Sequence, residues 1–152
     1  MIDPKHIGRQ LPPAIFEVEK GRLRFFAKAT GETRSEYLEE SAAHAAGYPS
    51  IPAPPTFVFA AELDAGTLFS LLDELQIPLS RILHGEQQFN YFAPVHAGDV
   101  LTVQSTITDI YTKRSGELEF VIKDSTVSNQ HGQQVLGARS VIVIRNQSGS
   151  SS

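Results

Sequence analysis

Five side chains in two short stretches have the types and spacing to do chemistry. His84 and Glu86 stand two residues apart in residues 83–91 (LHGEQQFNY), a run of strand character. Side chains two apart on a strand share a face. An imidazole and a carboxylate would meet there, either as an acid–base pair or as a hydrogen-bonded pair that fixes the strand. Earlier in the chain, Glu32, Arg34 and Tyr37 bring a carboxylate, a guanidinium and a phenol within six residues. A phenol is a poor base at neutral pH, with an unperturbed pKa of ~10. Arg34 reads either as a solvated loop charge or as a contact for a ligand phosphate. Taken alone, Gly31 and Glu32 read as a helix end followed by a loop. His96 precedes a turn at Gly98 and Asp99 and has a structural reading; His44 and His131 have surface readings. No two histidines have the spacing of a metal site and there is no cysteine, so no metal is expected. A GxSxG elbow and a glycine-rich phosphate loop are both absent, which leaves serine acyl transfer and nucleotide binding without support.

The elements that must hold these groups fall into two halves. From residue 83 onward four runs have strand character: 83–91, 100–111, 117–128 and 134–145. The second alternates apolar and polar residues as a half-buried strand does. Residues 139–144 (RSVIVI) are β-branched enough for a buried strand. Turn chemistry at residues 113–116 (KRSG) and 129–133 (NQHGQ) predicts an antiparallel meander. The first half reads as a strand over 15–18 followed by helices over 21–29, 36–46 and 64–75. Gly47 is placed to cap the second helix, and Leu68, Leu71, Leu72 and Leu75 form one face of the third. Residues 1–146 are expected to form one domain, and the tail 147–152 (QSGSSS) a flexible end.

Composition sets the broad class. The chain has 152 residues, 41% hydrophobic and 20% charged, as an ordinary globular domain does. A net charge of -4 argues against a nucleic-acid partner. No apolar run approaches the roughly 20 residues of a membrane span, and no export signal is visible, so a cytoplasmic protein without a membrane partner is expected.

Four local patterns, in order over most of the chain, carry a resemblance. They are Ala29-Thr30-Gly31-Glu32 after the first helix; Gly47-Tyr48 leading to Ile51-Pro52-Ala53-Pro54-Pro55-Thr56-Phe57; His84-Gly85-Glu86-Gln87-Gln88-Phe89-Asn90-Tyr91; and Pro94-Val95-His96-Ala97-Gly98-Asp99-Val100-Leu101. Together they resemble the MaoC-like hydratases and dehydratases, and most closely their FAS1-like dehydratase subgroup. That subgroup includes the substrate-binding, catalytically degenerate subunit of heterodimeric (3R)-hydroxyacyl-ACP dehydratases. The family signature reads Thr-Gly-Asp-x-Asn-Pro-x-His. Here Glu32 stands at its Asp, Arg34 at its Asn, Ser35 at its Pro and Tyr37 at its His.

The resemblance implies an α+β hot-dog fold, an antiparallel sheet wrapped around a hydrophobic helix. It also implies a homodimer, or a heterodimer with a related hot-dog subunit. The expected substrate is an acyl-CoA or acyl-carrier-protein thioester, with no cofactor. Syn hydration needs water held between an acid and a base, and N–H donors for the thioester oxygen. The candidate catalytic residues are therefore Glu32, Tyr37 and His84. The candidate substrate contacts are Arg34, Pro55, Thr56, Phe57 and Glu86, with N–H donors expected at Thr56, Phe57 or Val58. Three functions stay open: a hydratase or dehydratase subunit with an altered dyad, a non-catalytic acyl-binding homodimer, and a hot-dog thioesterase.

Overall fold

The alternating run that opens at Val100 becomes β3 (Val100–Lys113), burying Leu101, Val103, Ser105 and Ile107 on one face. In this computed structural model, which describes residues 1–146, it lies next to the first strand of a five-stranded antiparallel sheet. The other strands are β1 (Ala14–Glu17), β2 (Ile82–Tyr91), β4 (Leu118–Ser128) and β5 (Gln134–Arg145), in the order β1-β3-β4-β5-β2. The tail 147–152 lies outside the described residues.

The meander β3-β4-β5 forms as the turns predict. Arg114 and Ser115 take positive φ of 52° and 53° at the first turn. At the second, the Asn129 side chain accepts from the His131 and Gln133 N–H groups, the self-bonding that makes Asn a turn residue. β2 does not join the strand that follows it. The intervening residues 92–99 carry Pro94 and a turn at Gly98, so the chain crosses over and β2 pairs with β5 at the far edge.

Two helix expectations need correction. Residues 36–46 do not make one helix. A 3-10 turn at Ser35–Tyr37 is followed by α2 (Glu40–Ala45). Between them Glu39 is extended, and the Leu38 carbonyl accepts from Arg24 Nε at 2.8 Å instead of continuing a helical ladder. The expected helix over 64–75 begins only at Thr67, as α4 (Thr67–Glu74), because Gly66 turns left-handed at φ 67°; Asp64 ends a separate short helix, α3 (Phe59–Asp64), that was not expected. The apolar face of α4 is as read: Leu68, Leu71 and Leu72 are buried and Leu75 packs partly against them.

α1 (Lys20–Ala29) ends in a Schellman motif, with Gly31 N–H donating to Lys28 O and Glu32 N–H to Ala27 O. α2 ends the same way through Gly47 and Tyr48. α4 repeats the geometry with Gln76 at the left-handed position, φ 55°.

The inner face of the curled sheet is built in cross-strand rows. Tyr91, Leu136, Val127 and Val103 form an apolar row, and Phe89, Ala138, Ser125 and Ser105 the next. Gln87, Ser140, Lys123 and Ile107 follow, then His84, Ile142, Val121 and Ile110. The buried apolar residues accordingly form two clusters. One surrounds Phe57, Ala61, Val103 and Val127; the other surrounds Leu68, Leu71, Leu72, Val121 and Ile142. Among the described residues no helix is long and apolar enough to cross a membrane.

Candidate functional site

A cavity of about 370 Å³ opens between the segment after α2 and the chain leaving β2. Tyr37, Tyr48, Pro55, Val58, Tyr91 and Phe92 are among its walls. Its position follows from local backbone pairing. Pro52 bridges His96, and Ala53 N–H donates to Val95 O at 2.7 Å, so residues 51–55 run along residues 93–97. Across the opening, Phe92 and Ala93 both donate to Val135 O, which holds the end of β2 in place.

Thr56 turns the chain into α3 with φ 74°, unusual for a β-branched residue. Its N–H donates to the Tyr91 hydroxyl at 3.0 Å. The Phe57 N–H donates to Pro54 O. The Phe57 ring does not line the cavity but sits in the core, tilted against Phe16 at 5.9 Å and edge-on to Phe26 at 5.4 Å. Val58, also a cavity wall, is buried, and among the described residues its N–H has no hydrogen-bond partner. Buried backbone donors are nearly always paired, which makes this unpaired N–H on a cavity-wall residue a candidate donor for a ligand. Of the three donors the sequence offers, Phe57 is spent internally, Thr56 is held by the Tyr91 hydroxyl, and Val58 is free among the described residues.

Glu32 and Tyr37 are linked through Arg34. The guanidinium donates from Nε to Glu32 Oε1 at 3.1 Å and from Nη2 to Oε2 at 2.8 Å, while the N–H groups of Thr33 and Arg34 also donate to Oε1. Chiefly through the Arg34 side chain, the Glu32 carboxyl is pulled down to about 2. A carboxylate so stabilised is a weak proton acceptor near neutrality. The other face of the Arg34 guanidinium lies 4.7 Å from the Tyr37 ring centroid. Burial raises the Tyr37 phenol above its ordinary value, with the Arg34 charge offsetting part of the shift, so the hydroxyl stays protonated. Tyr37 faces the cavity and Glu32 is not among its walls.

His84 and Glu86 do not share a face, contrary to their spacing. The β2–β5 register slips at Gly85: His84 opposes Ile142 and Glu86 opposes Val141, consecutive residues on opposite faces. Gly85 fills the bulge because a Cβ there would lie 2.9 Å from Val143 Cγ2. His84 points inward, edge-on to Phe59 with centroids 5.3 Å apart, and Glu86 points to the outer face. Among the described residues neither side chain has a hydrogen-bond partner, and neither lines the cavity. His96 lies 3.7 Å from buried Asp99, whose carboxylate accepts from the His96 N–H and shapes the turn into β3. His44 Nε2 lies 3.0 Å from Pro49 O. Among the described residues no group of three or more His, Cys, Asp or Glu side chains could hold a metal.

Sequence reasoning missed Tyr48 and Tyr91 as cavity walls, and it missed a buried ionic cluster. Glu62 of α3 is 8% exposed and Lys123 of β4 is 4% exposed. Their charged ends meet at 2.5 Å, and Ser105 and Ser125 donate to the same carboxylate at 2.5 and 2.6 Å. Burial pushes the Glu62 carboxyl up, but the Lys123 ammonium and the three hydrogen bonds outweigh it and hold the group below its ordinary value. The available signal was a charge within one apolar run, residues 57–63 (FVFAAEL), and at the end of another, residues 120–123 (FVIK).

Comparison with known proteins gives a consistent outcome. The profile of the FAS1-like, dehydratase domain region matches residues 5–138. A UPF0336 protein of Streptomyces coelicolor is 37% identical over 145 residues, 95% of either chain. One from Clavibacter michiganensis is 39% identical over 147 residues, 95% of this chain and 96% of its own. Among solved structures, the C-terminally truncated HadBC (3R-hydroxyacyl-ACP dehydratase) complex of Mycobacterium tuberculosis superposes with a TM-score of 0.79 at 25% identity, covering 91% of this chain and 96% of that one. An unliganded R-hydratase of Pseudomonas aeruginosa shares the fold, with a TM-score of 0.68 at 19% identity over 93% of this chain and 83% of that one.

Proposed function

The chain belongs to the FAS1-like dehydratase family, and from that premise we propose that it is the acyl-thioester-binding member of an (R)-specific enoyl hydratase or 3-hydroxyacyl dehydratase system. The thioester, on CoA or a carrier protein, enters the cavity beside Pro55, Val58 and Tyr91. Its carbonyl oxygen takes the Val58 N–H, and the Thr56 N–H once the Tyr91 hydroxyl swings away. Two aligned donors are what an enolate-like oxygen requires.

The observation that carries the binding role is the Arg34 clamp. Glu32 stands where the family signature has its Asp, yet its carboxyl is held at about 2 and both its oxygens face Arg34. Proton transfer during hydration asks for a group poised near neutrality. Glu32 is far below that range and Tyr37 is above it, so the acid–base pair comes from a partner subunit. The HadBC neighbour is itself a complex, which supports a related hot-dog chain in that role.

The test uses the full-length chain alone with crotonyl-CoA. Titration calorimetry should report binding, and the enoyl absorbance should stay constant. Turnover by the chain alone that is lost in Glu32→Gln would overturn the binding-subunit reading. Release of free CoA thiol would replace it with a thioesterase.

A further inference from the structure

We infer that the buried cluster of Glu62, Lys123, Ser105 and Ser125 is the end wall of the acyl site and restricts its ligands to short-chain thioesters. This rests on the thioester-binding reading of the cavity.

The register fixes where the wall stands. Tyr91 lines the cavity, and its row, with Leu136, Val127 and Val103, is apolar throughout. Moving inward beneath β2, the next row begins at Phe89, which stacks on Tyr91 at 5.9 Å, and ends in Ser125 and Ser105. The row after it carries Lys123 and Ser140, and Ser140 donates to Gln87 at 2.6 Å. Rows on one face are two residues apart, about 7 Å. Measured along the strands, the serines therefore stand one row, about 7 Å, and Lys123 two rows, about 13 Å, beyond the level of Tyr91. Beyond them lies the second apolar cluster, around Leu68, Leu71, Val121 and Ile142, which would otherwise continue the path.

The wall is closed as well as polar. Glu62 descends from α3 onto all three partners, and Ser105 Oγ lies 2.9 Å from Ser125 Oγ. No buried side-chain nitrogen or oxygen among the described residues lacks a hydrogen bond. A methylene pushed into this plane must separate bonded, desolvated groups, which is costly. Stability alone does not account for the pair, since apolar residues of similar size commonly serve as well or better in such positions. What the charges add is a barrier across an otherwise apolar interior.

The test measures binding of butyryl-, hexanoyl-, octanoyl- and dodecanoyl-CoA to the full-length chain, below micellar concentrations. Each methylene buried in an apolar site tightens binding about fourfold. The dissociation constant is expected to fall by that factor for each of the two methylenes added, about fifteenfold from butyryl to hexanoyl, and then to level off through dodecanoyl. In Glu62→Leu/Lys123→Met/Ser105→Ala/Ser125→Ala, which removes both charges together, the fall should continue to octanoyl and beyond. A wild-type profile that keeps tightening to dodecanoyl overturns the wall and leaves the thioester reading standing. So does a folded variant with an unchanged plateau. If no acyl-CoA of any length binds, both readings fall. Should the variant not fold, the wild-type profile decides by itself.

Discussion

Replacing Lys123 by Met would leave the Glu62 carboxylate buried with two hydroxyl donors and no counter-charge. Removing one partner of a buried ion pair costs about 3 to 5 kcal/mol. Against the 5 to 15 kcal/mol that hold a typical domain folded, this is a large fraction. At roughly 2 to 4 °C per kcal/mol for a chain of this size, the melting temperature should drop by about 6 to 20 °C at pH 7. The sign of the pH dependence follows from the two states of Glu62. In the wild type its folded pKa is depressed; that stabilisation is present above the unfolded value of ~4.3 and is lost as pH falls through the folded value. Without Lys123, burial, the largest influence on this carboxyl, acts against only the two hydroxyl donors and raises the folded pKa above ~4.3, so the penalty is full at neutral pH and relieved as pH falls. The gap between variant and wild type should therefore narrow from pH 7 to pH 4. Glu62→Leu/Lys123→Met should recover most of the loss, since no charge is left unpaired. Thermal and denaturant unfolding by circular dichroism at pH 7, 5.5 and 4 measures all of this. A single variant that costs under about 1 kcal/mol at pH 7, with no narrowing, would refute the account of the pair as a dry, mutually dependent unit.

Two further outcomes are expected. Gln76→Gly should stabilise the protein by roughly 0.5 to 1 kcal/mol, because the exposed side chain sits at φ 55° in a position that glycine occupies without strain; chemical denaturation would show a higher midpoint at constant slope. In Arg34→Gln, the Glu32 carboxyl should titrate nearer the ordinary ~4.3 than its present value of about 2, read from its side-chain carbon by NMR. An unchanged midpoint would mean that the two backbone N–H groups, not the guanidinium, set it.

The strands were legible because periodicity and turn chemistry are local: β5 begins and ends where the β-branched run and its flanking turns place it. The helix errors share one physical origin. Periodicity reports which residues are apolar, whereas the breaks at Leu38 and Gly66 come from a carbonyl captured by Arg24 and a left-handed turn. The face of Glu86 was misread because a bulge reverses the alternation by one residue, and Gly85 was its only trace. Within the site, Thr56 and Val58 were visible as backbone positions, but Tyr91 reaches Thr56 across 35 residues and no spacing rule links them. Glu62 and Lys123 are likewise 61 residues apart; each looked like an isolated charge until the sheet brought them together.

The polar rows that cross the sheet also divide the molecule dynamically. α4 and its leucines belong to one apolar cluster, while Phe57, Val103 and Val127 belong to the other. A domain with two cores joined by a polar seam has a natural plane for sub-global opening. The amides of α4 can then exchange with solvent while those at the centre of β3 and β4 stay protected. The helix that covers the far half of the interior would breathe without disturbing the half that borders the cavity.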